Sequence, residues 1–262
     1  MPRNCLILGC GRSGTSLTAG LLAKAGYFMG EELDHAGLKP ANPKGQFEDP
    51  EINGINEDLL GPPIYDFRHR LFNKLLRPRQ RSYVKVQYYQ RWLVALPLSV
   101  QIPADPKLVL RIAALTSHEP YCFKDPRFSY TLGIWRPYVK NAVFICVFRH
   151  PAITAASIVN ACKIAPHLRD LPMDTSRAMR IWSDMYNHIL QIHYPAGGEW
   201  IFAHYDQLMD GGKLSEIEKA LAVPVDPSFP DPNLRRSKPV GSVSREAMSI
   251  YHRLCDLAGY KP

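Results

Sequence analysis

No two cysteines of this chain are spaced Cys-x-x-Cys, no apolar stretch approaches the roughly 18 residues of a membrane span, and no segment repeats or falls into low complexity. The six cysteines, Cys5, Cys10, Cys122, Cys146, Cys162 and Cys255, mostly sit inside apolar runs. They suit buried thiols of a reducing compartment, and they suggest neither a disulfide framework nor a zinc site. Acidic residues are in the minority, 24 against 32 basic ones, for a formal net charge of +8 that favours an anionic ligand or partner. The arginines gather between Arg68 and Arg91 and again at Arg235-Arg236 with Lys238, but no helix-turn-helix, RRM or zinc-finger pattern accompanies them, so no nucleic-acid partner is expected. Strand-like sequence starts at the fourth residue or so, which leaves no room for a charged n-region and an apolar h-region; a cytoplasmic protein without a membrane span is expected.

What is present is an alternation of strands and helices. Cys5-Leu6-Ile7-Leu8, Tyr121-Cys122-Phe123, Val143 to Phe148 and Trp200 to Ala203 are short apolar runs suited to strands buried on both faces, and Lys107-Leu108-Val109-Leu110 is expected to be another. Helices are expected from Thr15 to Ala25, in two pieces over 66–96 with a break at Pro78, from Pro151, after Asp174 as a cap, over Lys213 to Ala222, and from Ser244 to a stop at Gly259. The polar, turn-rich stretch from Gly30 to Asp58, with Pro40, Asn42-Pro43, Gly45 and Pro50, is too long for a plain connection and predicts a site loop. With 46% hydrophobic residues, the 262-residue chain can bury a substantial core as one domain. The fold class is α/β: a three-layer sandwich with a central, mainly parallel sheet, P-loop nucleotidase-like.

The most specific motif is a phosphate loop with its lysine missing. Gly9-Cys10-Gly11-Arg12-Ser13-Gly14-Thr15-Ser16 has the spacing of a strand-to-helix P-loop, but Thr15 stands where an ATPase or GTPase carries lysine. Gly9, Gly11 and Gly14 let the backbone turn tightly, so N–H groups of Gly11, Ser13, Gly14, Thr15 and Ser16 can point at an anion, with Arg12 supplying the cation. A Mg²⁺-ATP site would lack its point charge, and no Walker-B run ending in aspartate is evident. A second anion clamp is predicted where the strand ending at Phe148 delivers Arg149-His150-Pro151, with Ser157 two helical turns on. His150 is expected to cap that helix, and His188 and His193, five apart on a helix, are expected to be packed or solvated rather than ligands.

Arg12-Ser13-Gly14-Thr15-Ser16 followed by Arg149-His150-Pro151 and Ser157 resembles the sulfotransferases that use 3′-phosphoadenosine 5′-phosphosulfate (PAPS). Phe123-Lys124-Asp125-Pro126-Arg127 and Ala203-His204-Tyr205-Asp206-Gln207-Leu208 are softer likenesses to the family's lysine-containing and Tyr-Glu-Asp-Leu segments. The resemblance implies that the first loop holds the 5′-phosphosulfate and that Arg149 and Ser157 hold the 3′-phosphate. It also implies a metal-free sulfuryl transfer, with Lys124 as a second cation beside Arg12, and a late basic loop, Arg235-Arg236, over the nucleotide. A catalytic glutamate is expected after the first helix, with Glu48 beside Phe47 preferred over Glu32 in Gly30-Glu31-Glu32. The acceptor is expected to be a small-molecule or carbohydrate hydroxyl facing a helical insertion at about 52–100, where Tyr65, Phe67, Tyr83, Tyr88, Tyr89 and Trp92 offer either an aromatic wall or a packed lid. An atypical P-loop kinase and a non-enzymatic nucleotide or polyanion binder are the alternatives, separated by Mg²⁺-ATP dependence and by salt-sensitive binding without group transfer.

Overall fold

The computed structural model describes residues 1–31, 44–74, 86–234, 238–239 and 241–262, with 65–74 as backbone. Four parallel strands, β1 (Asn4–Leu8), β2 (Cys122–Lys124), β3 (Ala142–Phe148) and β4 (Glu199–His204), form one sheet in the order β2-β1-β3-β4. Successive side chains leave opposite faces of the sheet, and both faces are covered. Leu6, Leu8, Phe144, Cys146 and Phe148 face the larger apolar layer with Trp135, Trp182 and Tyr186, whereas Cys5, Ile7, Val143, Ile145 and Val147 face the smaller one with Leu21, Leu22, Ile217 and Leu221. The fold is therefore α/β with three layers.

All four strands end at the same edge, and three lead almost directly into helices. The helix α1 (Thr15–Leu22) follows β1 across the glycine loop. The helix α2 (Pro50–Lys74) precedes a single 3₁₀ turn at Arg91–Leu93 and then α3 (Pro106–Leu115). After β2 comes α4 (Phe128–Trp135), after β3 comes α5 (Pro151–Ile164), and α6 (Thr175–His188) runs into a π-helical turn at Ile189–His193. The short α7 (Tyr205–Met209) leaves β4 directly, and α8 (Leu214–Leu221) and α9 (Arg245–Ala258) complete the described elements. The expected cap and stop are made: Asp174 accepts from Arg177 N at 2.7 Å and Gly259 ends α9 at φ 63°, and Ser244 Oγ, accepting from Ala247 N at 3.1 Å, caps α9 rather than lying inside it. Among the described residues no helix is long and apolar enough to cross a membrane.

Three expectations are corrected. Lys107 to Leu110 is part of α3, not a strand: Asp105 Oδ1 caps the helix by accepting from Lys107 N at 2.8 Å, Pro106 starts it, and Leu108, Ile112 and Leu115 bury one face while Leu110 is 72% exposed. The site loop ends earlier than Asp58, because Asp49 Oδ1 accepts from Glu51 N and Ile52 N at 2.9 and 3.0 Å and opens α2 at Pro50, so the expected start of helix at residue 66 falls inside it; Pro78 lies outside the described residues, and over 86–96 the expected second helical piece is only the 3₁₀ turn at Arg91–Leu93. His150 occupies the position before α5, but its side chain makes no cap; its ring packs edge-on against Tyr251 at 5.0 Å. His188 and His193 are packed: both are buried, their Nε2 atoms 3.0 and 3.1 Å from the carbonyl oxygens of Leu96 and Ser129. Burial pulls His193 down to about 4, so it stays neutral in the core.

Candidate functional site

The glycine loop is shaped by close approach as much as by φ. Gly9 sits at φ 132°, and a Cβ there would lie 2.1 Å from the Val147 carbonyl oxygen. Gly14, the residue before α1, sits at φ 109°, with the Tyr205 ring 2.8 Å from the place of a Cβ. Arg12 is left-handed too, at φ 72°, which is costly for a residue with a side chain and turns the loop back on itself. Tyr186 fastens this loop to the sheet, its hydroxyl accepting from Cys10 N at 3.1 Å and donating to Val147 O at 2.6 Å. Gly9→Ala is expected to lower stability by about 2 kcal/mol or more, since a backbone carbonyl cannot step aside and the left-handed φ penalises Cβ. A melting midpoint within about 2 °C of the parent would contradict that geometry.

The fold brings the two anion motifs together. Arg12 Nε donates to Ser157 Oγ at 3.3 Å, which joins the loop after β1 to the helix after β3 across 145 residues of sequence. Arg149 is only 6% exposed, and its guanidinium lies over the Tyr205 ring at 4.2 Å. Burial pulls Arg12 below its ordinary value, the like charge of Arg149 adds to this, and Glu48 and Tyr205 partly offset it. Two guanidiniums near each other at the carboxyl edge of a parallel sheet, next to the first turn of α1, are groups that could hold an anion. Within the loop, Ser13 has a different part: it is fully buried, its N–H donates to Cys10 O at 3.1 Å and its hydroxyl lies 3.4 Å from Thr154 Oγ1, so it ties the loop to α5. Thr15 is buried and Ser16 half-buried in the first turn of α1.

Lys124 and Glu48 are brought into direct contact as an ion pair, with the Lys124 side chain 1% and the Glu48 side chain 19% exposed. Lys124 ends β2, and Glu48 stands just before the Asp49 cap of α2, on a turn where Phe47 takes φ 52°. Burial pushes the Glu48 carboxyl up, but Lys124, Arg127 and the Asn53 amide outweigh it and hold the group below its ordinary value. Lys124 is pulled down by burial, against the opposing pull of Glu48.

Beneath this pair lies a buried polar network that the sequence reasoning did not anticipate. Arg127, 3% exposed, reaches Glu57 Oε1 at 2.7 Å and Asp125 Oδ1 at 3.0 Å, and both carboxylates are fully buried. Asn56 donates to Asp125 Oδ2 at 2.9 Å and accepts from Thr131 Oγ1 at 2.7 Å and Trp135 Nε1 at 2.9 Å. Arg91 N donates to Glu57 Oε1 at 3.2 Å, and Arg91 Nη1 bonds the Glu57 carbonyl. A signal was available: Asn53, Asn56 and Glu57 stand at i, i+3 and i+4 and share one face of α2, while Ile52, Ile55 and Leu59 are buried on the adjoining one.

The aromatic candidates separate. Trp92, anchored through the neighbouring Arg91, lays its six-membered ring on the glycine loop, 2.6 Å from where a Cβ on Gly11 would sit. Tyr88 and Tyr89 are 41% and 56% exposed and pack on each other with ring centres 4.6 Å apart. The side chains of Tyr65, Phe67 and Tyr83, and the candidates Glu32, Arg235 and Arg236, lie outside the described residues. The chain that leads to the late basic stretch runs beside the site: Asp226 N donates to Leu21 O at 2.8 Å, and Phe229 packs on Gly20 of α1 and edge-on to Phe47 at 5.7 Å. Among the described residues, no group of three or more His, Cys, Asp or Glu side chains is placed to share a metal ion.

A protein-family model described as "Sulfotransferase family" matches residues 5–227. No curated protein matches the chain significantly. Among solved structures, the sulfotransferase domain from the Synechococcus PCC 7002 olefin synthase is similar at a TM-score of 0.53 with 16% identity, over 99% of this chain and 95% of that one. The sulfotransferase domain from the curacin biosynthetic pathway is similar at a TM-score of 0.54 with 15% identity, over 100% and 99% of the two chains. At these identities the structural likeness speaks for the fold.

Proposed function

Because the chain belongs to the sulfotransferase family, we propose that it moves the sulfuryl group of PAPS to a hydroxyl of a small-molecule or carbohydrate acceptor. The observation that carries this reading is the meeting of Arg12, Arg149 and Ser157 beside the N-terminus of α1, where two mutually repelling guanidiniums gain from an anion between them. In this proposal the loop from Gly11 to Ser16 takes the 5′-phosphosulfate, Arg149 and Ser157 take the 3′-phosphate, and Arg235 and Arg236 close over the nucleotide.

Transfer is an in-line displacement at sulfur. The acceptor oxygen forms the new O–S bond, the bond from sulfur to the 5′-phosphate oxygen breaks, and the departing 3′-phosphoadenosine 5′-phosphate keeps the electron pair. Arg12 and Lys124 stabilise charge on the sulfuryl oxygens and the leaving phosphate, and Glu48 takes the acceptor proton. The ion pair couples these roles. A sulfuryl anion arriving beside Lys124 competes with Glu48 for the ammonium, and what Lys124 gives to the sulfuryl group it withdraws from Glu48, whose basicity rises as a result. Chemistry of this kind needs no divalent metal, and with Thr15 at the place of a P-loop lysine the loop's own cation is Arg12.

The test is thermal unfolding with 3′-phosphoadenosine 5′-phosphate and, separately, with Mg²⁺-ATP. The bisphosphate at about 100 times its Kd is expected to add roughly 2.7 kcal/mol and raise the midpoint by several degrees, with no comparable effect of Mg²⁺-ATP. Stabilisation by Mg²⁺-ATP alone would replace sulfuryl by phosphoryl transfer.

A further inference from the structure

We infer that Asn53 is a positioning residue for Glu48, holding its carboxylate between Lys124 and the buried Arg127 so that one face stays directed at the reaction site. The inference rests on the reading of Glu48 as the base.

Glu48 has two oxygens, and each has one described partner. Oε1 pairs with Lys124, and Oε2 accepts from Asn53 Nδ2 at 3.1 Å. The other end of the same amide, Oδ1, accepts from Arg127 Nη1 at 3.4 Å. The direction of the amide follows from this geometry. A guanidinium only donates, so the oxygen of Asn53 faces Arg127 and its NH₂ is left for the carboxylate. No other side chain of this length offers an acceptor on one side and a neutral donor on the other; aspartate would set a second carboxylate against Glu48, and a hydroxyl would not span both partners.

The placement is firm because α2 is pinned on both sides of Asn53. Asp49 caps the first turn, and one turn on Asn56 and Glu57 are locked into Asp125 and Arg127. Asn53 is half-buried and lies on the same helix face as those two, yet it stands at the open end of the network, where the buried polar groups meet the candidate site. The charged groups that act on Glu48 are Lys124 at the end of β2, Arg127 and Asp125 in the turn after it, and Arg12 in the glycine loop. Asn53 is the neutral group that sets the orientation of Glu48 among them.

The deciding measurement is the titration of the Glu48 carboxyl carbon by carbon-13 NMR in the free protein, assigned with Glu48→Gln, beside consumption of PAPS in the presence of a panel of hydroxyl acceptors. Asn53→Asp is expected to raise the Glu48 midpoint by about one pH unit or more through like charge, and to slow donor consumption about tenfold or more. Stabilisation by 3′-phosphoadenosine 5′-phosphate should persist, since the described hydrogen-bond partners of Asn53 are Glu48 and Arg127, outside the glycine loop. Asn53→Ala, which adds no charge, is expected to move the midpoint upward by less and to slow consumption similarly. A Glu48 midpoint within about 0.3 units of the parent in Asn53→Asp, or unchanged consumption in both variants, overturns the inference. Failure of the parent protein to bind the bisphosphate overturns the donor reading instead, and the titration still decides whether Asn53 holds Glu48.

Discussion

Glu48→Gln is expected to reduce sulfuryl transfer by about 10²–10⁴-fold while leaving the affinity for 3′-phosphoadenosine 5′-phosphate within about threefold. The amide keeps the shape of the side chain, and its oxygen can still accept from Lys124, so the donor side of the site is preserved. What is lost is the proton acceptor. In the free protein Glu48 is held below its ordinary value by Lys124, Arg127 and Asn53 against the opposing pull of burial, so it is ionised at neutral pH and ready to receive a proton. An alcohol attacking sulfur must lose that proton as the O–S bond forms, and among the described carboxylates Glu48 is the one ion-paired with Lys124. Donor consumption with an acceptor panel, and bisphosphate binding by thermal shift, separate the two roles. If Glu48→Gln turns over within about twofold of the parent and Glu32→Gln abolishes turnover, the base is Glu32.

The legible parts of this molecule were those in which one short segment carries its own reason. The run Cys5 to Leu8 with the glycine loop and α1, the strand ending at Phe148 with Arg149 and Pro151, and the caps at Asp174, Ser244 and Gly259 all follow from neighbouring residues. Lys107 to Leu110 failed for a physical reason: the three apolar residues Leu108, Val109 and Leu110 fit either period, and only the Asp105-Pro106 start and the wider spacing of Leu108, Ile112 and Leu115 choose the helix. The turn-forming residues between Gly30 and Pro50 hid the start of α2 in the same way, and with it the period that puts Asn53, Asn56 and Glu57 on one face.

The candidate site was legible as a set of ends and illegible as a set of contacts. Arg12 and Ser157 were each predicted from a local motif, but their meeting at 3.3 Å depends on β1 and β3 being neighbours in the sheet. Glu48 and Lys124 were likewise separate candidates, 76 residues apart, and the ion pair between them follows from the start of α2 being held, through Asn56 and Asp125, at the turn that ends β2. Pairing of this kind belongs to topology, and local pattern does not contain it.

The heaviest structural load falls on a residue that no motif marked as anything but a neighbour of Lys124. Arg127→Met is expected to lower stability by about 3–5 kcal/mol and the melting midpoint by on the order of 10 °C, because it leaves Glu57 and Asp125 buried without their cation. Arg127 is held above its ordinary value by Asp125 and Glu57 in spite of burial, whereas burial has already pushed both carboxyls up against the pull of Arg127. Without the guanidinium they rise further. A carboxyl whose folded value lies above its unfolded one destabilises as pH climbs through that interval, so the deficit should be greatest near pH 7 and shrink as pH falls toward the ordinary carboxylate range. Adding Glu57→Gln to Arg127→Met should restore part of the loss, since an amide costs less to bury than an unpaired charge. Denaturant unfolding of the parent, Arg127→Met and the double variant at two pH values decides the matter. A loss below about 1 kcal/mol, or a deficit that does not narrow in acid, would mean that the buried carboxylates find other partners and that Arg127 is not what holds Lys124 and Glu48 on a rigid base.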